Sequence, residues 1–142
     1  MTDGQVIGKA EDTLGLRHGP MAAIDKNTLV VMFASLDAYR RKYETDLLKE
    51  LSAKDLGCQR VVVAPHPETG WADLSHHVLD FGADLSNLAN GMLSPVLVIP
   101  AQIIGLFKSL QLGLEPDTPS RKQVISRVVE GVTIYPYPVD LS

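Results

Sequence analysis

The chain has 142 residues, of which 45% are hydrophobic and 21% are charged, as expected for one globular domain with its own core. The formal net charge of −4 argues against a general nucleic-acid binder, because such proteins carry a basic face. The single cysteine, Cys58, excludes an internal disulfide and a Cys-rich zinc site. The first ten residues are polar and of mixed charge, unlike a signal peptide, so we expect a cytoplasmic protein.

The first predicted elements surround a turn at Gly15–Pro20. A weak alternation over Gly4–Glu11 predicts a short strand before the turn, and Met21–Ile24 has room for one or two helical turns after it. Gly19 permits backbone angles that a side chain forbids, and the proline that follows fixes φ at the start of a helix. We expect these two residues to hold His18 in one orientation.

His18 is a candidate for proton transfer, because imidazole titrates near neutral pH. The alternative is a plain surface loop that leads into a short helix. A metal site is not expected, since His76 and His77 are adjacent in a predicted strand and point to opposite faces of it.

A strand, a helix and a second strand follow the turn, and they predict a right-handed βαβ unit with parallel strands. Thr28–Ala34 and Arg60–Ala64 are continuous apolar runs, typical of strands covered on both faces, and the first is expected to be central. Asp37 is a good N-cap for the helix, and Gly57 is placed to end it. Helical spacing predicts a buried face made of Leu36, Tyr39, Tyr43, Leu47 and Leu51.

The outer face of this helix is expected to be charged and solvated. Arg40 and Glu44 lie four positions apart, as do Lys42 and Asp46, which predicts two weak ion pairs. Arg41 is expected to share the solvated basic surface with its two neighbours.

The rest of the chain predicts a third strand at His77–Phe81 and a long helix at Ser94–Leu112 that ends at Gly113. Pro100 lies inside this pattern, so the helix either restarts there or is kinked. Two prolines and a lysine in this apolar segment favour a buried helix of a soluble protein over a membrane span. Its expected buried stripe is Ile103, Phe107 and Leu110. Two further segments are predicted, a short helix at Arg121–Val129 and an extended piece at Val132–Tyr135.

These elements predict one domain over residues 1–142, a three-layer α/β/α sandwich with a mostly parallel sheet. Ligands of such sheets bind beyond the carboxyl ends of the strands, here at Ser35–Asp37, at Pro65–Thr69 and after Phe81. The first of these loops lacks glycine and carries a carboxylate that would repel phosphate. We therefore interpret Asp37 as a helix cap.

Five stretches of the chain resemble the sugar isomerase (SIS) family: Leu14–Asp25, Thr28–Phe33, Tyr39–Leu48, Leu112–Ser120 and Arg127–Pro136. They are most similar to the tagatose-6-phosphate ketose/aldose isomerase group, which includes galactosamine-6-phosphate deaminases. The isomerase half of glucosamine-6-phosphate synthase is a more distant likeness and has a similar His-Gly-Pro turn.

The resemblance implies a ketohexose or amino-hexose 6-phosphate as substrate, no cofactor, and proton transfer between C1 and C2 of the sugar. The family histidine that matches His18 helps to open the sugar ring, and in the synthase it is donated across a dimer interface. Arg17 and Gly19 stand beside it in the matching motif and are the expected substrate-binding residues.

The chain also departs from the family. It resembles only the later part of the second of two SIS domains, and the family's phosphate loop and catalytic glutamate have no counterparts. Glu130 stands where the synthase has a lysine-bearing tail. We therefore expect this chain to be incomplete alone and to associate with another copy or with a separate N-terminal SIS partner. The alternative is an inactive SIS module that serves in sugar-phosphate sensing or in assembly.

Overall fold

The computed structural model of the protein describes residues 2–82, 85, 88, 90–118, 120–121, 128 and 131–136. The chain divides into two compact units, one formed by Lys9–Ala101 and the other by Met1–Gly8 with Gln102–Ser142. The sheet and the predicted histidine turn both lie in the first of these units.

The fold is an α/β fold with a parallel sheet, as predicted. The strands are β1 (Leu29–Phe33), β2 (Gln59–Ala64) and β3 (His77–Asp80), and the α-helices are α1 (Ala38–Ala53), α2 (Trp71–Leu74) and α3 (Ser94–Gln111). In the described part of the chain, 3-10 turns occupy Gly15–His18, Pro20–Ala23 and Asn90–Leu93. The strands pair in the order β1-β2-β3, so β2 is central among the described strands and the expectation of a central β1 is wrong.

Helix α1 begins where the sequence predicts and ends earlier than Gly57. The Asp37 carboxylate accepts hydrogen bonds from the N–H groups of Tyr39 and Arg40, at 2.8 and 2.9 Å, which confirms the cap. At the other end, Asp55 takes a left-handed φ of 49°. The N–H of Leu56 donates to the Leu51 carbonyl at 3.0 Å, the bond that closes a helix at such a residue.

Gly57 is needed for the entry into β2 instead. It has φ of 84°, and a Cβ there would lie 3.1 Å from the carbonyl oxygen of Thr28. Only glycine permits this close approach between the α1–β2 turn and the start of β1.

The core packs α1 against the sheet and against α2. Trp71 is fully buried with Leu48 and Val62, and its Nε1 donates to Thr45 Oγ1 at 2.9 Å. A second cluster contains Leu47, Leu51 and Met21, the last from the 3-10 turn at Pro20–Ala23. Val30 of β1 also packs against this second cluster, so the histidine turn lies against both α1 and the sheet.

The predicted apolar face of α1 is correct only in its C-terminal half. Tyr39 and Tyr43 are exposed and contact each other, with ring centroids 5.3 Å apart and hydroxyl oxygens 2.9 Å apart. The inward positions of the first turns belong to Arg41 and Glu44, because the strand ends present main-chain polar groups there that need charged partners.

The predicted strand at Gly4–Glu11 is wrong, since this segment forms turns and irregular structure. Ile7 is 92% exposed, and none of the described strands pairs with the segment. A weak alternation does not produce a strand when its apolar residues have nothing to pack against. The predicted helix at Arg121–Val129 lies almost entirely outside the described residues, and residues 131–136 form no strand.

Helix α3 confirms the prediction of a long helix through Pro100 and contradicts the prediction of its burial. Gly113 ends it with φ of 65°, as predicted, and the N–H of Leu114 donates to the Ser109 carbonyl at 3.0 Å. The expected buried stripe is exposed: Ile103 by 48%, Leu110 by 51% and Phe107 by 65%. Helical spacing shows which residues share a face and leaves open whether that face is covered.

Residues Gly91–Gln111 are long and apolar enough to cross a membrane by length and composition. Helices of soluble proteins meet the same criterion, so this segment is weak evidence for a membrane protein. Cys58, the residue before β2, is exposed.

Candidate functional site

The histidine turn is shaped by Asp12 and by two glycines. The Asp12 carboxylate accepts hydrogen bonds from the N–H groups of Leu14 and Gly15, at 2.9 and 2.7 Å. A Cβ on Gly15 would lie 3.0 Å from that carboxylate. Gly19 adopts φ of 142° and ψ of −50°, a conformation that favours glycine, and Pro20 then starts the second 3-10 turn. The backbone on both sides of His18 is therefore fixed.

Arg17 anchors this turn to α1. Its Nε lies 2.8 Å from Oε2 of Glu50, while Lys54 Nζ lies 2.6 Å from the other carboxylate oxygen. The hydrogen bond from Lys54 lowers the pKa of Glu50, with a smaller contribution from Arg17. One carboxylate thus holds two cations, and a ligand that binds Arg17 must compete with Glu50 for the guanidinium.

Arg17 and Gly19 line the same cleft, which has a volume of about 350 Å³. The remaining lining residues are Met21, Ala22, Ile24, Lys54 and Leu56. His18 stands between these two residues in the sequence, but it does not line the cleft itself. Its imidazole is exposed and forms no hydrogen bond or ion pair with the described residues, so it is available to another molecule.

The histidine turn and the carboxyl ends of the strands lie at opposite ends of α1. Met21, from the turn that follows His18, packs against Leu47 and Leu51, in the C-terminal half of the helix. The strand ends contact Arg41, nine residues before Glu50, or about 13 Å along the helix axis. Within one chain, the structure does not bring His18 to the sheet edge where ligands of α/β proteins bind.

Arg41 joins the ends of β1 and β2, and the prediction that it is solvated is wrong. Its guanidinium donates to the carbonyl oxygens of Ser35 at 2.7 Å, Pro65 at 2.7 Å and His66 at 2.6 Å. Glu68 Oε1 accepts a further hydrogen bond at 3.0 Å. The same cation lies 5.7 Å from the centroid of the Trp71 ring.

Glu44 is buried next to the same loop, so the prediction of a surface pair with Arg40 is also wrong. Its carboxylate accepts the N–H of Ser35, at 3.0 Å to one oxygen and 3.3 Å to the other. Burial raises the pKa of Glu44. Asp46 Oδ1 lies 3.7 Å from Lys49 Nζ, so Asp46 pairs with Lys49 and not with Lys42 as predicted.

Asp80, at the end of β3, binds main-chain N–H groups at the carboxyl edge of the sheet. Its Oδ1 accepts hydrogen bonds from the N–H groups of His66 at 3.3 Å and Gly82 at 2.8 Å. Ser35, His66 and Asp80 follow or end the three strands, so side-chain hydrogen bonds tie all three strand ends together.

His76 has a structural role, because its Nδ1 accepts the N–H of Arg60 at 3.0 Å and positions the start of β3 beside β2. Within the described ranges, no group of three or more His, Cys, Asp or Glu residues is arranged to hold a metal ion.

The sequence predicts the histidine turn and a ligand loop at Pro65–Thr69 that contains His66, but it gives no indication of the inward roles of Arg41 and Glu44. Arg41 and Glu44 are three positions apart on α1, a spacing that places them on one face. Their positions in the sequence do not indicate whether that face packs against the sheet or is exposed to solvent. The signal for His66 was its place directly after a buried strand, between two prolines.

The parallel sheet, with a histidine turn packed against its first helix, defines an α/β domain. Comparisons with known proteins show that this fold is shared with sugar isomerases. No family model matches the sequence. The chain is similar to D-galactosamine-6-phosphate deaminase AgaS of Shewanella sp. (strain ANA-3), with 31% identity over 96% of this chain. It is 32% identical, again over 96% of its length, to D-galactosamine-6-phosphate deaminase AgaS of Escherichia coli O157:H7.

Two solved structures are also similar. A protein of Clostridium novyi NT, provisionally named a tagatose-6-phosphate ketose/aldose isomerase, has a TM-score of 0.81 and 32% identity over 96% of this chain and 35% of its own. The tagatose-6-phosphate ketose/aldose isomerase of Escherichia coli has a TM-score of 0.68 and 28% identity over 88% of this chain and 30% of its own.

The chain is homologous to these phosphosugar isomerases and deaminases of the sugar isomerase (SIS) type, and it matches their C-terminal part. It spans about a third of the length of the curated relatives, 32% of the Shewanella protein and 35% of the Escherichia coli protein.

Proposed function

We propose that this protein acts on a ketohexose or amino-hexose 6-phosphate, as an aldose–ketose isomerase or as a deaminase, in the cytoplasm. The observation that carries the proposal is the exposed imidazole of His18, held between a paired Arg17 and a Gly19 with φ of 142°. The names of the relatives support the substrate class, since they are given as galactosamine-6-phosphate deaminases and tagatose-6-phosphate isomerases.

His18 is suited to the first chemical step. Before a hexose 6-phosphate can isomerise or lose its amine, the closed ring must open, which requires a proton at the ring oxygen. A base must then remove the proton next to the carbonyl, and acid–base groups of this kind contribute roughly 10²- to 10⁴-fold to rate. An imidazole can both donate and accept a proton, so His18 transfers the proton in ring opening. A carboxylate removes the proton from the carbon next to the carbonyl.

His18 performs this step in a site completed by another chain or domain. Its turn lies at the end of α1 opposite to the carboxyl edge of the sheet of its own chain, and the imidazole points to no described partner. The exposed apolar side chains of α3, including Ile103, Phe107 and Leu110, support association with a second copy or with a separate SIS partner.

The exposed face of α3 also favours a second candidate function, an inactive SIS module that serves in assembly or in sugar-phosphate sensing. Such a module would bind a sugar phosphate, or a partner protein, without converting the sugar. The two functions differ in whether turnover follows binding.

The test is the replacement of His18 by glutamine in the full-length protein. Ammonia release from D-galactosamine 6-phosphate and aldose formation from D-tagatose 6-phosphate report turnover. We expect H18Q to lose about 10²- to 10⁴-fold in kcat with an unchanged melting temperature. His77→Gln, at another exposed histidine, is the matched control and should retain full activity. Wild-type turnover by H18Q would refute the role of His18.

Thermal melts against a panel of hexose and amino-hexose 6-phosphates separate the two functions. A ligand at about 100 times its Kd stabilises the native state by roughly 2.7 kcal/mol. Stabilisation with turnover supports the enzyme, whereas stabilisation without turnover supports the sensing module. Adding the N-terminal region of a relative in trans tests whether activity requires a partner.

A further inference from the structure

The carboxyl end of β2 carries a histidine in a left-handed backbone conformation. His66 has φ of 53°, in the left-handed region that residues other than glycine adopt uncommonly, asparagine, aspartate and histidine more often than the rest. Arg41 Nη1 lies 2.6 Å from the carbonyl oxygen of His66, and the main-chain N–H of His66 donates to Asp80 Oδ1 at 3.3 Å. Two charged side chains from different elements therefore hold both of its main-chain polar groups.

These contacts involve only the main chain of His66 and not its side chain. The residue is exposed, and within the part of the chain that the structure describes its imidazole forms no hydrogen bond or ion pair. Glycine would adopt the same backbone conformation more easily. A residue that costs folding energy and offers an unused polar side chain is typical of a functional position.

The location of His66 points to a ligand. It follows β2, which is central among the described strands, at the sheet edge where α/β proteins bind small molecules. Arg41 also holds the carbonyl oxygens of Ser35 and Pro65, so the main chain around the imidazole is fixed in advance. The main chain at His66 therefore needs no further ordering when a ligand binds.

The charges at this edge select the part of the ligand that reaches His66. The Asp37 carboxylate occupies the N-terminus of α1, and Glu68 and Asp80 contact the same strand-end network as His66. These carboxylates repel a phosphate group. A hydroxyl or carbonyl group of a sugar is uncharged and pairs with either nitrogen of the imidazole.

We propose that His66 is a ligand-contacting residue that hydrogen-bonds the hydroxyl-bearing part of a sugar phosphate at the carboxyl edge of β2. This proposal rests on the proposed function and deepens it. It is separate from the role of His18, because the two histidines lie at opposite ends of α1.

The test is His66→Asn in the full-length protein, because asparagine tolerates the left-handed conformation and removes the imidazole. Binding of D-galactosamine 6-phosphate and D-tagatose 6-phosphate is measured by calorimetry. We expect affinity to fall about tenfold or more, as for the loss of one ligand hydrogen bond, with the melting temperature unchanged. His77→Gln is the matched control and should bind as the wild type does.

The outcomes separate the two proposals. Wild-type affinity in H66N would overturn the proposal for His66 and leave the proposed function standing. Loss of turnover in H18Q together with loss of affinity in H66N would support both. Failure of the wild type to bind either sugar phosphate would overturn both. If H66N folds poorly, His66→Gly repeats the measurement with a residue that suits the backbone better.

Discussion

Arg41 Nη1 lies 2.6 Å from the carbonyl oxygen of His66, so a side chain from α1 holds the end of the neighbouring strand β2. The same guanidinium holds the carbonyl oxygens of Ser35 and Pro65. A largely buried cation is tolerated in this position because its donors meet fixed acceptors, including the Glu68 carboxylate. Arg41 thus links the ends of β1 and β2 at the carboxyl edge of the sheet.

Replacement of Arg41 by methionine should destabilise the protein by about 3 kcal/mol, because three carbonyl oxygens lose a charged donor at once. The methionine retains part of the apolar stem, so the loss reports the guanidinium. Arg40→Met, at the exposed neighbour, is the control and should change stability by less than about 0.5 kcal/mol. Urea unfolding measures both, and equal losses in the two variants would contradict the role of Arg41.

Glu44→Gln should stabilise the protein more at neutral pH than in acid. Burial raises the pKa of Glu44 above its unfolded value, so folding becomes less favourable once this carboxyl ionises. Below the unfolded pKa the carboxyl is protonated in both states, and the two proteins should be similar in stability. As pH rises through the folded pKa, the wild type should lose stability relative to E44Q, which keeps an acceptor for the Ser35 N–H.

The measurement for Glu44 is the difference in unfolding free energy between E44Q and the wild type, from about pH 4 to about pH 7. Titrations elsewhere in the protein cancel in this difference. A difference that favours E44Q increasingly toward acid would show that the pKa of Glu44 is lowered, contrary to the structure.

Gly19→Ala should disrupt the histidine turn without any steric clash. A Cβ at this position has open space around it, so the penalty comes only from φ of 142°, and we expect about 1–3 kcal/mol. If the turn relaxes to escape the strain, His18 changes orientation and kcat falls. Gly8→Ala, at a glycine with open space and no positive φ, is the control. An unchanged melting temperature and kcat in G19A would contradict the constraint.

Phe107→Gln tests whether the exposed face of α3 is covered in solution. Phe107 is 65% exposed within the chain, and burying a phenylalanine contributes roughly 1.5–3 kcal/mol. If another chain covers this face, F107Q should lower the association constant, seen as a smaller mass in light scattering. The exposed Gln102 offers a control on the same helix through Gln102→Ala. An unchanged mass at all concentrations would show that this residue is not in an interface.

Much of the fold could be predicted because its signals are local. The apolar runs of β1 and β2 sit within a few residues of their predicted limits, and Asp37 and Gly113 terminate their helices as expected. These features depend on hydrogen bonds and backbone angles inside one short segment, so the order of residues is enough to reveal them. The turn at His18 could be found for the same reason.

The candidate site could be predicted only in part. Arg17 and Gly19 do line one cleft, as their places in one motif imply. The Glu50 carboxylate that pairs with Arg17 comes from α1, far away in sequence. A contact of that kind depends on how the helix packs and leaves no mark in the motif itself.

The sequence by itself determined the order of β1, α1, β2 and β3 along the chain, the N-cap at Asp37 and the end of α3 at Gly113, because each follows from local backbone chemistry. Only the tertiary structure decided that Arg41 and Glu44 face inward, that His66 takes a left-handed conformation and that the stripe of α3 is exposed. The physical reason is that strand ends bring unpaired main-chain groups to α1, and whichever charged side chains lie nearest must satisfy them. Which residues those are depends on the packing of elements distant in sequence.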